Sequence, residues 1–403
     1  MSINGSFKTR LKPALILSIL FIAFPNQIFP QTAPDLHIQS RSAVLMDSLS
    51  GQILYEQDQK RKIAPASLAK ILNLYLAFDA LRAGQFKMDD LVTVSRKAWE
   101  TGGSKMFVRE GERVKVEDLM KGIAIVSANN ACVVMAEHLA GTEEAFVAKM
   151  NEKAQLIGLK ESQFKNSHGM PTQDQYTTAI DIALLARSYI ENHPEALAFH
   201  SATEFGYNGV LQQNRNTLLR KGIGVDGLMT GYTEESGYHL MATAKRENRR
   251  MIAVAMGCKK INQRTIEAQK LLEYGFKNFS TLLAVKKSDL FGPQKVSKGK
   301  LSQVDLVPVE EGWVTVAKGK ENSISITPEI PKSITAPVQK GQVVGKVVIQ
   351  SEGRTLKEIA LLSSVDVPKG IYLFWLLIGG AILFLILAGM ILWLSRRAKR
   401  KRP

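Results

Sequence analysis

Residues 65–84 read PASLAKILNLYLAFDALRAG, and the architecture can be worked out from this stretch. From Ser67 to Ala83 the apolar residues Leu68, Ile71, Leu72, Leu74, Tyr75, Phe78 and Leu81 cover more than one helical face, as expected of a helix buried at the centre of a domain. Pro65 and Gly84 bound it. Ser67 and Lys70 stand three residues apart at its start, on one face. A serine hydroxyl is inert at its own pKa and needs a neighbouring base, which a partly desolvated lysine can supply. The helix N-terminus adds a field that favours developing negative charge. Alone, such a pair is a weak signal.

Outward from this helix, the segment Ala43 to Gln57 predicts two strands around Ser48–Gly51. Further helices are expected at Ala128–Leu139, Glu143–Ile157, Thr178–Asn192 and Arg264–Phe276. Tyr238–Arg246 and Arg250–Gly257 form a second hairpin about Glu247–Arg249, and their continuous apolar character puts them mid-sheet. Hairpin, helices, then hairpin predict an α+β domain over residues 35–283: an antiparallel sheet flanked by helices, with a helical subdomain. The texture changes at residue 284. Short β-rich pieces recur at Val304–Val307, Trp313–Val316, Ser323–Ile326, Val343–Ile349 and Leu356–Leu361, predicting a small all-β domain over 284–368. No motif of reacting residues stands in it, and a spacer or docking module is the economical reading.

The chain has 403 residues, 45% of them apolar and 22% charged, enough for two or three ordinary domains. Two cysteines, Cys132 and Cys258, exclude a disulfide-stapled scaffold and read as buried, inert thiols. The six histidines have no metal-ligand spacing, so neither a metal nor a cofactor is expected. The net charge of +16 suggests nucleic acid only until it is located. Nine of those charges are Lys8, Arg10 and Lys12 at one end and Arg396, Arg397, Lys399, Arg400, Lys401 and Arg402 at the other. The body between them has no basic stripe interleaved with aromatics, and no nucleic-acid partner is expected.

Both termini read as membrane signals. The basic start is followed by an apolar run from Pro13 to Phe24, too short to span and suited to a secretory signal, so residues 1–34 are read as signal peptide and leader. Ile371 to Leu394 holds 24 residues without a charge, about 36 Å as a helix at ~1.5 Å per residue. Trp375 and Trp393 lie near its ends, and the basic cluster of residues 395–403 follows, which predicts a cytoplasmic tail. The body is then exported and held to the cell membrane by a single C-terminal transmembrane helix.

Sixty residues after Ser67 comes Ser127-Ala128-Asn129, and Met229-Thr230-Gly231 precedes the second hairpin. Ser-x-x-Lys, Ser-x-Asn and a Thr-Gly strand in this order form the signature of penicilloyl serine transferases. With Gly102-Gly103-Ser104-Lys105-Met106-Phe107, Ser167-His168-Gly169-Met170 and Val225-Asp226-Gly227, the sequence resembles the low-molecular-mass penicillin-binding proteins, serine-type D-alanyl-D-alanine carboxypeptidases. The resemblance is close over residues 37–283 and extends in outline to the β domain and tail.

The resemblance implies that Ser67 attacks the carbonyl between the two terminal D-alanines of a peptidoglycan stem peptide, and that β-lactams inhibit. It further implies that Lys70 is the general base, Ser127 relays the proton, and Asn129 donates to the substrate amide. The N–H groups of Ser67 and Tyr232 form the oxyanion hole beside Gly231, and Thr230 with Arg264 holds the terminal carboxylate. Arg264 reads equally well as a solvated charge on a surface helix. His168 fixes a turn with Gly169.

At position 229 the family carries Lys, or in some members His; this chain has Met229. Two consequences are expected: weaker anchoring of the substrate carboxylate, and a raised Lys70 pKa that leaves less free base. Arg264 or Lys221 would compensate in part. Met229 also keeps a second reading open, a catalytically impaired relative that binds peptidoglycan or organises the cell-wall machinery. A β-lactamase is a third, disfavoured because Ser127-Ala128-Asn129 lacks the middle Asp of the class A pattern. Gly222 to Gly227 matches a dinucleotide fingerprint, yet precedes a strand-like run where a helix should open.

Overall fold

The structure of the chain, a computed structural model, describes residues 36–370 and 373–399. The signal peptide and leader read over 1–34 lie outside the described residues, as do residues 400–403 of the basic tail.

Strands β1 (Ser42–Asp47) and β2 (Ile53–Gln57) make the first hairpin. A 3-10 turn, Ala66–Ala69, runs into α1 (Lys70–Arg82). The short pair β3 (Leu91–Thr93) and β4 (Arg113–Lys115) brackets α2 (Arg96–Glu100). The helices α3 (Val116–Val126), α4 (Asn129–Ala140), α5 (Glu143–Leu156), α6 (Ala179–Asn192) and the one-turn α7 (Leu197–His200) follow. A two-stranded arm, β5 (Glu204–Tyr207) and β6 (Val210–Gln213), precedes the long strands β7 (Val225–Thr233), β8 (Gly237–Arg246) and β9 (Arg249–Cys258), then α8 (Ile261–Asn278).

The main sheet is antiparallel in the order β2-β1-β9-β8-β7. Its continuous apolar strands have a simple cause: both faces are covered. Along β1, Ala43 and Leu45 point to the layer of α8 with Ala268, Leu271, Leu272 and Phe276. Val44 and Met46 point the other way, into the helical core with Leu68, Ile71, Leu72 and Phe78. Strand alternation assigns each side chain to one layer or the other.

α1 is the axis of that helical core, buried over most of its length. Its first residues differ from the expected regular helix, because Ser67 lies in the 3-10 turn and Lys70 opens the α-helix. α8 begins three residues ahead of the predicted Arg264, since its first turn is exposed and leaves little apolar pattern to read. The second hairpin turns on Glu247 and Asn248, with Glu247 at positive φ.

The last part is all-β. β10 (Phe279–Val285) leaves α8 with no intervening residue. β11 (Phe291–Ser297), β12 (Gln303–Pro308), β13 (Gly312–Ala317), β14 (Ile324–Glu329), β15 (Ile334–Thr335), β16 (Val343–Ser351) and β17 (Arg354–Ser363) follow. β10 pairs with β13, and the others form a six-stranded sheet, β14-β16-β17-β12-β11-β15. Val314, Val347, Ile349, Ile359 and Leu361 fill its core. Thr281 donates to Asp47 at 2.6 Å, Gln52 donates to the Thr315 carbonyl at 3.2 Å, and the Ser50 and Thr315 hydroxyls meet at 2.7 Å, joining this body to the first hairpin. α9 (Leu373–Lys399) ends the described chain; it is long and apolar enough, over Leu377–Arg397, to cross a membrane.

Candidate active site

The turn that carries Ser67 is held open by backbone geometry. Ala66 has φ +48°, a strained conformation for a residue with a side chain. The 3-10 turn then eclipses positions three apart, so Ser67 and Lys70 face each other more directly than on a regular α-helix. Lys70 Nζ lies 2.7 Å from Ser67 Oγ and donates to the His168 carbonyl at 2.7 Å.

Lys70 is fully buried, and burial pushes its ammonium down to about 8. Cys132 opposes this and the Arg215 charge adds to it. Withdrawal from water sets the shift, and the cation that assists it is Arg215 and not position 229. Lys221 does not compensate, because its ammonium bonds Gln269 on the surface.

The loop opposite is shaped to approach this turn. Gly169 has φ +88°, and a Cβ there would sit 1.8 Å from the Ala66 carbonyl oxygen. Glu143 accepts from the Ser167 N–H at 3.0 Å and its hydroxyl at 2.7 Å, which fixes the loop that presents the His168 carbonyl. Burial would raise the Glu143 carboxyl, but those bonds and Lys97 hold it below its ordinary value. His168 is pushed to about 4, first by burial and then by Lys70, so it is neutral at pH 7. Its ring accepts from the Met170 N–H at 3.2 Å, in keeping with a turn-fixing role.

Ser127 caps α3 in the left-handed region, φ +59°, and turns the chain into α4. Its hydroxyl oxygen is buried and has no hydrogen-bond partner among the described residues. Asn129 donates its amide to the Gly102 carbonyl at 2.7 Å, and its backbone N–H bonds Ser104 at 2.6 Å. Asn130 clasps Met106 from both sides, at 3.1 and 2.8 Å. These contacts explain why Gly102–Phe107 travels with the Ser-x-Asn motif.

β7 supplies the last wall. Gly231 allows the approach, since a Cβ there would lie 3.1 Å from Ala66 Cβ and 3.4 Å from the Ser67 nitrogen. Thr230, Gly231, Tyr232 and Thr233 line a cavity of about 360 Å³ with Ser67, Asn129, His168 and Arg264. Met229 does not line it; it is 2% exposed and packs in the helical core. Arg264 is 5% exposed and donates to the Gly231 carbonyl at 3.2 Å, with Tyr238 under its guanidinium. The solvated-charge reading of Arg264 is therefore wrong. Burial and the Arg215 charge lower it to about 10.

Two residues were missed in the sequence. Arg215 lines the cavity from the bend before the 3-10 turn Thr217–Arg220. Buried Asn214 and Asn216 flank it, donating to Ala202 at 2.9 Å and Gly227 at 3.0 Å, and so fix the arginine's direction. That Asn-Arg-Asn triplet was the available signal. His239, fully buried on β8, accepts from the Gly257 N–H at 2.9 Å and therefore carries its proton on Nε2, toward the Ala64 carbonyl at 3.2 Å. It steadies the segment just ahead of the nucleophile.

Chemically, the site combines a nucleophile–amine pair, a side-chain amide and two arginines around a small cavity, with the Ser127 hydroxyl buried outside its lining. A family model described as D-alanyl-D-alanine carboxypeptidase matches residues 29–260, and one described as Penicillin-binding protein 5, C-terminal domain, matches 279–369. The chain is 38% identical over 362 residues to D-alanyl-D-alanine carboxypeptidase DacC of Escherichia coli, covering 88% of this chain and 90% of that one. It is 35% identical to DacF of Bacillus subtilis, over 89% of this chain and 95% of the other. The crystal structure of penicillin binding protein 5 from Haemophilus influenzae superposes with a TM-score of 0.79 at 36% identity, over 82% of this chain and 98% of that one.

Proposed function

Because the chain belongs to the D-alanyl-D-alanine carboxypeptidase family, we propose that it removes the terminal D-alanine of peptidoglycan stem peptides through an acyl-enzyme on Ser67. It is a serine-type hydrolase of the penicillin-binding class. The observation that carries the reading is the 2.7 Å separation of Ser67 Oγ from the buried amine of Lys70.

Neutral Lys70 takes the Ser67 proton as Oγ attacks the carbonyl between the two D-alanines. The oxyanion is received by the N–H groups of Ser67 and Tyr232, each such donor contributing about 3–4 kcal/mol. Ser127 returns the proton to the departing amine, the C–N bond breaks, and D-alanine leaves. Water, deprotonated by the same base, then cleaves the ester. Asn129 donates to the substrate amide. Thr230 and Arg264 hold the terminal carboxylate, and Arg215 joins them as the cation that position 229 lacks. A bidentate guanidinium suits that task. Met229 was the ground for an impaired relative; Arg215, lining the same cavity, offers the carboxylate another cation in part.

The polypeptide divides into a peptidase domain from 35, a β domain to 368, a membrane helix at 371–394 and a basic tail, with the boundary expected at 283/284 moved back to 278/279 because β10 pairs with β13. Support comes from the two family matches and from the apolar length of α9. The peptidase then works outside the cytoplasm, tethered to the cell membrane.

The test is release of free D-alanine from a peptide ending in D-Ala-D-Ala, alongside labelling by fluorescent penicillin. Both should occur with the native chain and vanish in Ser67→Ala. Labelling without release would replace turnover with a stalled acyl-enzyme. Absence of both in folded protein would refute the proposal.

A further inference from the structure

The end of the β domain from which the chain leaves for α9 carries a chemistry of its own. Three segments are stitched together there. Gly370 N–H bonds the Lys298 carbonyl and Lys300 N–H bonds that of Pro368, each at 2.9 Å. Val338 and Val367 form a two-way bridge, and Lys340 N–H bonds the Asp366 carboxylate at 2.7 Å. The joined segments 298–301, 338–342 and 365–370 bring Lys298, Lys300, Lys340 and Lys369, all exposed, to one end of the domain. Their sole acid, Asp366, is the one engaged by that backbone N–H. Among the described residues none of the four lysines is in an ion pair, although Lys320, Lys346 and Lys357 elsewhere in the domain are. Leu301, 46% exposed, and Val365 stand among them as apolar tips.

The distance to the membrane is bounded by the chain itself. Three Cα–Cα steps lead from Gly370 to Leu373, at most about 11 Å of extended backbone. That is about one Debye length in physiological salt and comparable to the thickness of a headgroup layer. If α9 is in the bilayer, this face is at its surface.

We propose that the lysine face around Leu301 and Val365 docks on the anionic phospholipid headgroups of the leaflet that α9 enters. The inference rests on reading α9 as a membrane anchor. Charge complementarity and the short tether name the occupant, since unpaired lysines beside a phosphate-rich surface are attracted to it, while apolar tips enter the interface.

The full chain is reconstituted in vesicles of phosphatidylcholine alone or with a third phosphatidylglycerol. A fluorophore is placed through Leu301→Cys or, within α9, Leu385→Cys, the native cysteines being buried. Spin-labelled lipids report proximity by quenching. The Leu385 probe should be quenched in both membranes. The Leu301 probe should be quenched several-fold more with phosphatidylglycerol, and lose that gain in high salt or in the K298E/K300E/K340E/K369E variant, which should still label with penicillin. A Leu301 signal indifferent to lipid charge and to the variant, with Leu385 still quenched, overturns the docking proposal alone. An unquenched Leu385 probe overturns the anchor reading and the proposal with it.

Discussion

At the scale of single residues, the proposed chemistry depends on one amine giving up its proton more readily than an ordinary lysine. Lys70 is pushed to about 8 by burial first, with Arg215 assisting against Cys132. Acylation by penicillin should therefore rise with pH to a plateau with a midpoint near 8, measured as the pH profile of the labelling rate. The same shift bears on stability: between about 8 and the ordinary lysine value the unfolded chain binds more protons, so stability should climb with pH across that window. Met229 lies on the same face of β7 as Gly231, and the hydroxyl oxygen of Ser127 has no partner among the described residues. Met229→Lys should give Ser127 a donor and add a cation, raising acylation tenfold or more if about 2 kcal/mol is recovered; an unchanged rate would mean that Arg215 already suffices. Ser67, Lys70, Ser127, Asn129 and Thr230 were legible because each stands in a short motif with fixed spacing. Arg215 and His239 were not, since the fold brings them to the site across distant elements; His239 leaves no local pattern, and Arg215 only the flanking asparagines Asn214 and Asn216.

At the scale of elements, the sheet and central helix were readable because burial on both sides writes continuous apolar runs, as in β1 and β9. The arm β5–β6 and the short pair β3–β4 were not, their strands being half exposed and three or four residues long. β10 was missed because its middle residues are only half buried and it follows α8 directly. The loop behind Lys70 is a shaped part. Gly169→Ala would drive a methyl into the Ala66 carbonyl at positive φ. It should cut acylation steeply by displacing the Ser67 turn, and lower the denaturation midpoint by an amount equivalent to roughly 1–3 kcal/mol. By contrast Thr178→Ala, which removes the cap that accepts from Asp181 N–H at 3.2 Å, should cost about 1 kcal/mol in urea unfolding and leave acylation kinetics alone.

At the scale of the whole molecule, acid should unfold the peptidase body cooperatively. His168, His200 and His239 are each held near 4, chiefly by burial. Between about 4 and 6.5 the unfolded chain binds more protons than the native one, so stability should fall by several kcal/mol as pH drops through that window. Thermal midpoints taken from pH 7 to pH 4 check this, and a flat profile would contradict it. The sequence announced two bodies and a tail through a change of texture, but gave no sign of how they join, because the joint is made by isolated polar contacts such as Asp47 with Thr281. That joint has a mechanical meaning. Helix α8 passes into β10 without a spare residue, the first hairpin is latched to Thr315, and the far end is pinned by the bridges at Gly299–Lys369 and Val338–Val367. Among the described residues the chain is thus tied down at both ends of the β domain; with α9 in a membrane as proposed, the blade would be carried at a constant height and meet the stratum of wall at that level.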